Sequence, residues 1–332
     1  MTANRSKTIA IATTTLVVAA ALLTGLLLTL TPRTGSPEGK RSADSRTQGP
    51  AGAVDLERRI GEYTSRFGED SGYRRPSRDD RRAVARGVGL LLDGDREQAR
   101  EQLSDVDFEI RTVTDSATGR RYAEIADRTE DARSPRGWGR VYVDLDTSAT
   151  WSVQVPHPVA DKRTEQLGVS VLRGSRGGIL VIAGAHRAAG REDASDVAHR
   201  TDSVFDAVCD ELVRRGLPGL QLHGFADDSA PRYDVIASMG NGEVARPEGR
   251  ALADALRARD FDVCRAWVRS CPLEGRTNVQ GRKAAEEGVA FLHVEFSNTV
   301  RTSRARAARV AEAVTAVTAA WSTGGPADRP TG

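Results

Sequence analysis

The alternation of apolar and polar positions divides the chain after residue 150 into short apolar runs and amphipathic segments. The apolar runs, typical of strands, lie at 152–156, 177–186, 219–224, 233–240, 261–267 and 289–296. The amphipathic segments, typical of helices, lie at 162–173, 202–215, 248–259 and 301–321. Several runs are continuously apolar, which indicates a mostly parallel or mixed sheet covered by helices on both faces. The pattern therefore predicts an α/β domain over residues 151–322.

Residues 54–150 show a different order, with helical patterns first and strand patterns after them. Leu56, Ile60 and Tyr63 share one face of a predicted helix. Residues 108–128 alternate on both sides of a polar turn, which predicts a hairpin, and "WGRVYVDL" predicts a further strand. We interpret 54–150 as a small α+β region that precedes the α/β domain. It contains no His or Cys, and its acids are scattered among arginines, which is typical of a solvated charged surface.

The first apolar stretch of the chain is also its longest, with no charged residue from 8 to 30. At ~1.5 Å per residue this stretch is long enough to cross a bilayer core of ~30 Å. No convincing A-x-A cleavage site follows it, and no lipid-accepting Cys lies at its end. We interpret 8–31 as a transmembrane signal anchor behind an N-terminal tail, 1–7. Residues 32–53, rich in Pro, Gly, Ser and charge, predict a flexible linker, and 323–332 a disordered tail.

Export is favoured by the basic start of the chain, so we expect the bulk of it outside the cytoplasm at the cell membrane. Arg5 and Lys7 precede the apolar stretch, although positive charges also follow it, so the charge rule alone does not set the topology. The alternative is a cleaved signal peptide, in which case the protein is secreted. The net charge of +2 gives no indication of a nucleic-acid partner.

Cysteines are too few for a disulfide framework, since the chain has only three. Cys209 lies on the apolar stripe of the predicted helix 202–215, which indicates a core position. Cys264 and Cys271 are close enough in sequence to bridge in an oxidising compartment, and the sequence leaves their state open.

Histidines are confined to the predicted α/β domain, and several follow its strands. His157, His186 and His223 end or follow apolar runs, and functional groups gather at the carboxyl ends of strands in open α/β sheets. His293 lies two residues before Glu295, so alternation places both side chains on one face of a strand. A single histidine after a strand is usually a surface residue, but three at one end of a sheet indicate a site.

Two acids follow the first of these histidines, and together they suggest a zinc site. Zinc prefers histidine nitrogens and a carboxylate, with an open position in catalytic sites. Asp161 and Glu165 follow His157, but each has another explanation: Asp161 as a helix cap and Glu165 as an acid in a first helical turn. The chain has no G-x-S-x-G, G-x-x-x-x-G-K-[ST] or H-E-x-x-H motif. Serine hydrolases of that type, P-loop enzymes and the commonest metalloprotease helix are therefore excluded.

The order of five segments resembles the phage-type poly-γ-glutamate hydrolases, which are relatives of the zinc carboxypeptidases. The segments are "PHPVADKRTE" (156–165), "VAHRTDSVFD" (197–206), "LQLHGFA" (220–226), "LEGRTNVQGR" (273–282) and "FLHVEFSNTVR" (291–301). The resemblance covers roughly residues 150–305. It rests on the shared order of the motifs, since each motif alone is weak.

This resemblance implies a set of zinc ligands. His157 and His199 would bind the metal together with a carboxylate just after His157. The chain lacks the Gly-Gly that follows the family's histidine, and the spacing to the acid is altered. Asp161 matches when the segments are aligned on the threonine, and Glu165 is the alternative.

The resemblance also implies roles for the remaining polar residues. Glu295 would be the general base, and Arg301 matches an arginine beyond the same strand. Arg187 or Arg276 would stabilise the oxyanion or hold a substrate carboxylate. His186 and His223 would line the substrate pocket or support the ligands.

The expected function is that of a membrane-tethered, zinc-dependent amidohydrolase or carboxypeptidase-like peptidase. Its expected substrate is a γ-glutamyl or cell-wall peptide, and the membrane would be contacted through residues 8–31. The alternative is a catalytically inactive binding or scaffold module that retains the same fold.

Overall fold

The computed structural model describes residues 52–130 and 135–323 of the 332-residue chain. The predicted membrane anchor, 8–31, and nearly all of the predicted linker and C-terminal tail lie outside the described residues. Within the described residues, no helix has both the length and the apolar character needed to cross a membrane.

Helices and strands alternate through most of the described chain. The helices are α1 (Leu56–Thr64), α2 (Arg78–Leu92), α3 (Arg96–Ser104), α4 (Thr164–Gly174), α5 (Val204–Arg214), α6 (Arg246–Arg257), α7 (Val279–Glu286), α8 (Asn298–Thr302) and α9 (Arg304–Thr323). The strands are β1 (Phe108–Thr114), β2 (Arg121–Asp127), β3 (Arg140–Asp144), β4 (Trp151–Val155), β5 (Gly178–Ile182), β6 (Gly219–Phe225), β7 (Val235–Ser238), β8 (Val263–Arg265) and β9 (Phe291–Ser297).

All nine strands of the described residues pair in one mixed sheet, in the order β1-β2-β3-β5-β4-β6-β9-β7-β8. The central strands β5, β4, β6 and β9 are parallel to one another. β1, β2 and β3 continue the sheet as an antiparallel meander on β5, and β7 pairs antiparallel with β9. The predicted boundary near residue 150 therefore falls between β3 and β4, which follow each other in the chain and belong to the same sheet.

Helices cover both faces of this sheet, because the strand side chains alternate between two apolar cores. On one face, Val153, Leu222 and Val294 of the central strands pack with α1, α4, α6 and α9. On the other face, Ile179 and Val181 of β5 pack with α2, α3 and α5. The predicted mixed α/β architecture is confirmed, as is the hairpin over 108–128.

The cysteines occupy the places that their neighbours in sequence suggest. Cys209 is buried in α5 against Phe205 and Leu212, which confirms its predicted core position. Cys264 and Cys271, whose state the sequence left open, form a disulfide that closes the turn after β8. Helix α7 has no counterpart among the predicted patterns, because its sequence "VQGRKAAE" has few apolar residues.

A carboxyl group is buried where α5 packs against α7. Asp206 is 3% exposed, and its Oδ1 accepts a hydrogen bond of 2.7 Å from Gln280 Nε2. Burial, together with the nearby charge of Asp210, raises the pKa of Asp206 to about 7. The folded chain therefore binds this proton more tightly than the unfolded chain does.

Stability should consequently fall as the pH rises through the range over which Asp206 ionises. Protonated Asp206 contributes fully to the free energy of unfolding below pH 3.8, the ordinary pKa of the carboxyl in the unfolded chain. This contribution is lost as the pH rises to about 7, the pKa in the folded chain. The loss amounts to at most about 4 kcal/mol. We expect Asp206→Asn to raise the free energy of unfolding more at pH 8 than at pH 5, measured by urea unfolding. Asp228→Asn, at an exposed position, should change it by less than about 0.5 kcal/mol at either pH. An equal effect of Asp206→Asn at both pH values would contradict the assignment.

Candidate metal centre

One face of the three neighbouring strands β4, β6 and β9 carries polar side chains in place of an apolar core. The strand register aligns Gln154 with Gln221 and Gln221 with His293, so these three residues form one row across the sheet. In the next row, His223 lies opposite Glu295. All five side chains are buried. Because the residues between them face the apolar core, alternation of period two places these five polar side chains together on the other face.

The loop between β4 and α4 brings His157 and Asp161 to the same edge of the sheet. The Asp161 amide donates to the His157 carbonyl at 2.9 Å, which closes a turn between the two residues. Val159 and Arg163 on either side of Asp161 have φ of 68° and 67°. A left-handed backbone is unfavourable for a β-branched residue such as valine, so the surrounding structure must hold this loop in place.

Arg301 supplies much of that hold. Its buried guanidinium donates to the backbone carbonyls of Asp161, Lys162, Phe225 and Phe296, which ties the loop to the ends of β6 and β9. The bond to Asp161 measures 2.5 Å and the bond to Phe225 3.0 Å. The structure thus places Arg301 behind the loop, in contact with backbone.

Asp161 lies at the centre of a group of polar atoms. Its Oδ2 is 3.3 Å from His157 Nδ1 and 3.5 Å from His223 Nδ1, and it accepts a hydrogen bond of 3.1 Å from the Gly224 amide. Burial alone would raise the pKa of this carboxyl, but the hydrogen bond with His157 outweighs it and holds the pKa well below its usual range. Asp161 therefore keeps its negative charge although it is buried.

The second nitrogen of His157 binds a carboxylate that sequence reasoning missed. His157 Nε2 donates to Asp196 Oδ1 at 2.7 Å, while Asp196 Oδ2 accepts from Arg187 at 2.6 Å and from His199 Nδ1 at 3.1 Å. Burial would lower the pKa of His157, but its bonds to Asp161 and Asp196 raise it overall. Asp196 lies three residues before His199 in "DVAHR", and that proximity was the only available signal in the sequence.

Among the described residues, the potential metal-ligand atoms form two groups that share His223, and the atoms of each group lie within 4.8 Å of one another. The first contains His157, Asp161 and His223, and the second contains His223, His293 and Glu295. The His223 ring stacks on His293 at 4.4 Å between centroids and meets the edge of His157 at 5.0 Å. The sequence-based expectation that His293 and Glu295 lie on one face of a strand is confirmed.

Two buried atoms of the second group have no hydrogen-bond partner, His293 Nδ1 and Glu295 Oε2. Burial, and then the charge of Asp161, raise the pKa of Glu295 to about 8. Burial lowers the pKa of His223 to about 4, so this ring is neutral at pH 7. Unsatisfied buried polar atoms cost about 1–3 kcal/mol each, and a water molecule held at the site would satisfy them.

Other residues that the sequence singled out lie outside these two groups. Glu165, the alternative carboxylate ligand, is buried in the first turn of α4, where its Oε2 accepts a long bond of 3.4 Å from the Val159 amide. The His199 side chain is 43% exposed. Its Nδ1 contacts Asp196, which in turn bonds to His157. His186 is half-buried, and its Nδ1 accepts a bond from the Ala188 amide.

The two candidate arginines differ in their position. Arg187 lies beside the cluster, with Nη1 3.5 Å from His157 Nδ1 and a salt bridge to Asp196. Arg276 is two-thirds exposed and pairs with Glu274. Their roles, like the choice of metal ligands, remain predictions.

Comparison with known proteins yields only distant likenesses. The sequence matches no family model, and no curated protein is significantly similar to it. The fold is similar to N-formylglutamate amidohydrolase from Ralstonia eutropha JMP134, at 14% identity and a TM-score of 0.40 over 56% of this chain and 97% of that one. It is also similar to a bacteriophage poly-gamma-glutamate hydrolase, at 15% identity and a TM-score of 0.42 over 58% and 94%. A metallo-carboxypeptidase from Pseudomonas aeruginosa matches at 16% identity and a TM-score of 0.35 over 68% of each chain.

Gly275 covers His293 so closely that a side chain there should displace the ring. Its φ is +68°, and an added Cβ would lie 2.5 Å from ring carbons of His293. We expect Gly275→Ala to lower the free energy of unfolding by about 1–3 kcal/mol more than Gly288→Ala does. Gly288 is a matched control, because its φ is +65° and an added Cβ would meet nothing within 4 Å. Urea unfolding of both variants measures the difference, and equal losses would show that the His293 contact is not tight.

Proposed function

We propose that this protein is a metal-dependent hydrolase of amide bonds, with zinc held by His157, Asp161 and His223. The observation that carries the proposal is the convergence of two Nδ1 atoms on one carboxylate oxygen, at 3.3 and 3.5 Å. The Nε2 atom of each ring is bonded elsewhere, to Asp196 and to Gln221. Both rings are therefore oriented with the same nitrogen toward Asp161. Two histidine nitrogens and one carboxylate form a ligand set that zinc prefers.

Outer contacts of these residues support the same assignment. In metal sites, a ligating histidine usually donates its other N–H to a carboxylate or carbonyl, which fixes the ring. The Nε2 of His157 donates in this way to the Asp196 carboxylate, and the Nε2 of His223 donates to the side-chain carbonyl of Gln221. A doubly protonated His157 satisfies both Asp161 and Asp196 when no metal is bound. Metal would replace the proton on Nδ1, so binding should release protons.

This ligand set differs from the one that the family resemblance implies at a single position. The resemblance assigns His199, whereas the geometry favours His223. We propose Asp161 over Glu165 for a similar reason, since Asp161 alone of the two acids belongs to the cluster.

Glu295 is the proposed general base. Its Oε2 is buried and unpartnered, and it lies opposite His223 in the strand register. A bound zinc ion would polarise the substrate carbonyl and acidify a water molecule. It would also favour the ionised form of Glu295, whose pKa is raised by burial in its absence. Glu295 would then accept a proton from the water and deliver it to the leaving amine.

Arg187 is the proposed contact for negative charge on the substrate. It is 40% exposed and adjacent to His157, and its guanidinium is already oriented by Asp196. Such an oriented guanidinium is suited to binding a developing oxyanion or a carboxylate. Arg276, exposed beside Glu274, is the alternative.

A γ-glutamyl or cell-wall peptide is the proposed substrate, processed outside the cytoplasm. The Cys264–Cys271 disulfide supports this location, because disulfides persist mainly in oxidising compartments. Membrane attachment through residues 8–31 is proposed from the uncharged sequence there.

Zinc titration of the full chain in detergent tests the ligand set. We expect about one zinc per chain by calorimetry and elemental analysis, and His223→Ala should weaken binding by more than the roughly 10–100-fold that loss of an outer partner costs. His186→Ala is the matched control and should bind like the wild type. His199→Ala should behave as the loss of an outer contact only. If His199→Ala loses zinc completely and His223→Ala retains it, the proposed ligand set is wrong and the one implied by the family resemblance is correct.

Hydrolysis assays on the same protein test the role of Glu295. We expect Glu295→Gln to retain zinc and to lose roughly 10²–10⁴-fold in rate on γ-glutamyl oligomers or cell-wall peptides, since it cannot accept a proton. Loss of zinc in this variant would make Glu295 a ligand. Zinc binding by the wild type without hydrolysis of any amide in the panel would favour the inactive binding module.

A further inference from the structure

Behind the candidate metal centre lies a buried network of four side-chain amides, which we call the amide network. Its members are Gln154 on β4, Gln221 on β6, Asn278 at the N-cap of α7 and Gln280 within α7, each at most 1% exposed. Each amide can offer its oxygen or its nitrogen to a neighbour, so the orientation of the network has to be established from its surroundings.

Two backbone groups establish that orientation. The Gly281 amide donates to Asn278 Oδ1 at 2.8 Å, so Asn278 Nδ2 is the group that faces Gln221. The Val197 carbonyl accepts from Gln280 Nε2 at 3.0 Å, so Gln280 Oε1 is the group that faces Gln221. A backbone N–H only donates and a backbone C=O only accepts, so neither assignment can be reversed.

Gln221 is consequently fixed in one orientation. Its Nε2 donates to Gln280 Oε1 at 3.2 Å and to Gln154 Oε1 at 3.1 Å. Its Oε1 accepts from Asn278 and lies 2.7 Å from His223 Nε2. Since an amide oxygen only accepts, His223 Nε2 must carry the proton. In the neutral ring, Nδ1 then has the lone pair, and it is this atom that faces Asp161.

Asp161 competes for that proton. A proton on His223 Nδ1 would form a charge-assisted bond to the Asp161 carboxylate, which is stronger than a bond between neutral groups. That tautomer would place the Nε2 lone pair against Gln221 Oε1, and Gln221 cannot turn without losing its bonds to Gln154, Gln280 and Asn278. The network therefore opposes the tautomer that Asp161 favours.

We propose that Gln221 is a positioning residue that fixes the tautomer of His223, so that Nδ1 faces Asp161 as an acceptor for a divalent cation. The part that concerns the cation rests on the proposed function. The part that concerns the tautomer does not, since it follows from hydrogen bonds of the chain itself.

Long-range ¹⁵N spectra of the histidine rings test the tautomer directly in the full chain without metal. In the wild type, we expect His223 to be protonated on Nε2. Gln221→Met removes the acceptor at similar volume, and we expect the His223 proton to move to Nδ1, toward Asp161. Gln221→Glu keeps an acceptor at this position and should retain the Nε2 proton. Gln154→Met is the matched control, because it removes a buried amide of the same network that does not contact His223.

Zinc titration of the same four proteins provides a second readout. We expect Gln221→Met to weaken zinc binding by roughly 10–100-fold, the usual cost of losing an outer partner. Gln221→Glu and Gln154→Met should remain much closer to the wild type. A merely structural role for Gln221 would instead give equal losses in Gln221→Met and Gln154→Met, and that outcome overturns the proposal.

A wild-type spectrum with the proton on Nδ1 of His223 also overturns the proposal, and this measurement needs no variant to fold. A spectrum of Gln221→Met in which His223 keeps its proton on Nε2 overturns the proposal as well. If the wild type binds no zinc, the proposed metal site is contradicted, while the tautomers measured without metal still decide the role of Gln221.

Discussion

The candidate site depends on one constraint, the placement of polar side chains on a buried face of the central strands. Gln154, Gln221 and His293 lie side by side in one row of the sheet, where water has little access. Gln154 and Gln221 find partners within the protein, since an unsatisfied buried group costs about 1–3 kcal/mol. Helix α7 meets this need, because Asn278 and Gln280 supply the donor and the acceptor that Gln221 requires. The position of α7 and the chemistry of the sheet face are therefore linked.

A second requirement is a loop that the local sequence does not favour. Val159 and Arg163 adopt a left-handed backbone on either side of Asp161, at a cost of order 1–3 kcal/mol each. Arg301, from beyond β9, offsets this cost by bonding to the carbonyls of the same loop. Asp161 thus reaches His157 and His223 because distant parts of the chain hold its backbone. This explains why an arginine that matched a family motif contacts backbone carbonyls.

Patterns of period two and 3.6 were sufficient to predict the strands and most helices, because burial imposes those periods directly. They also predicted that His293 and Glu295 share a face. The second histidine of the proposed metal site was harder to predict. The order of motifs along the chain indicated His199, whereas the sheet brings His223 to Asp161. Asp196 and the amide network were missed for a related reason: glutamine and asparagine have no distinctive spacing, and only their three-dimensional neighbours show that they are buried and paired. The anchor predicted for 8–31 lies outside the described residues.

The two faces of the central strands have different physical roles. Val153, Leu222 and Val294 point into an apolar core and contribute burial energy that does not depend on exact hydrogen-bond geometry. The polar side chains on the opposite face gain little from burial, and two of their atoms, His293 Nδ1 and Glu295 Oε2, have no hydrogen-bond partner. The apolar face therefore offsets the cost of the polar one. Water held by a cation on the neighbouring His157, Asp161 and His223 would supply the missing partners of these two atoms.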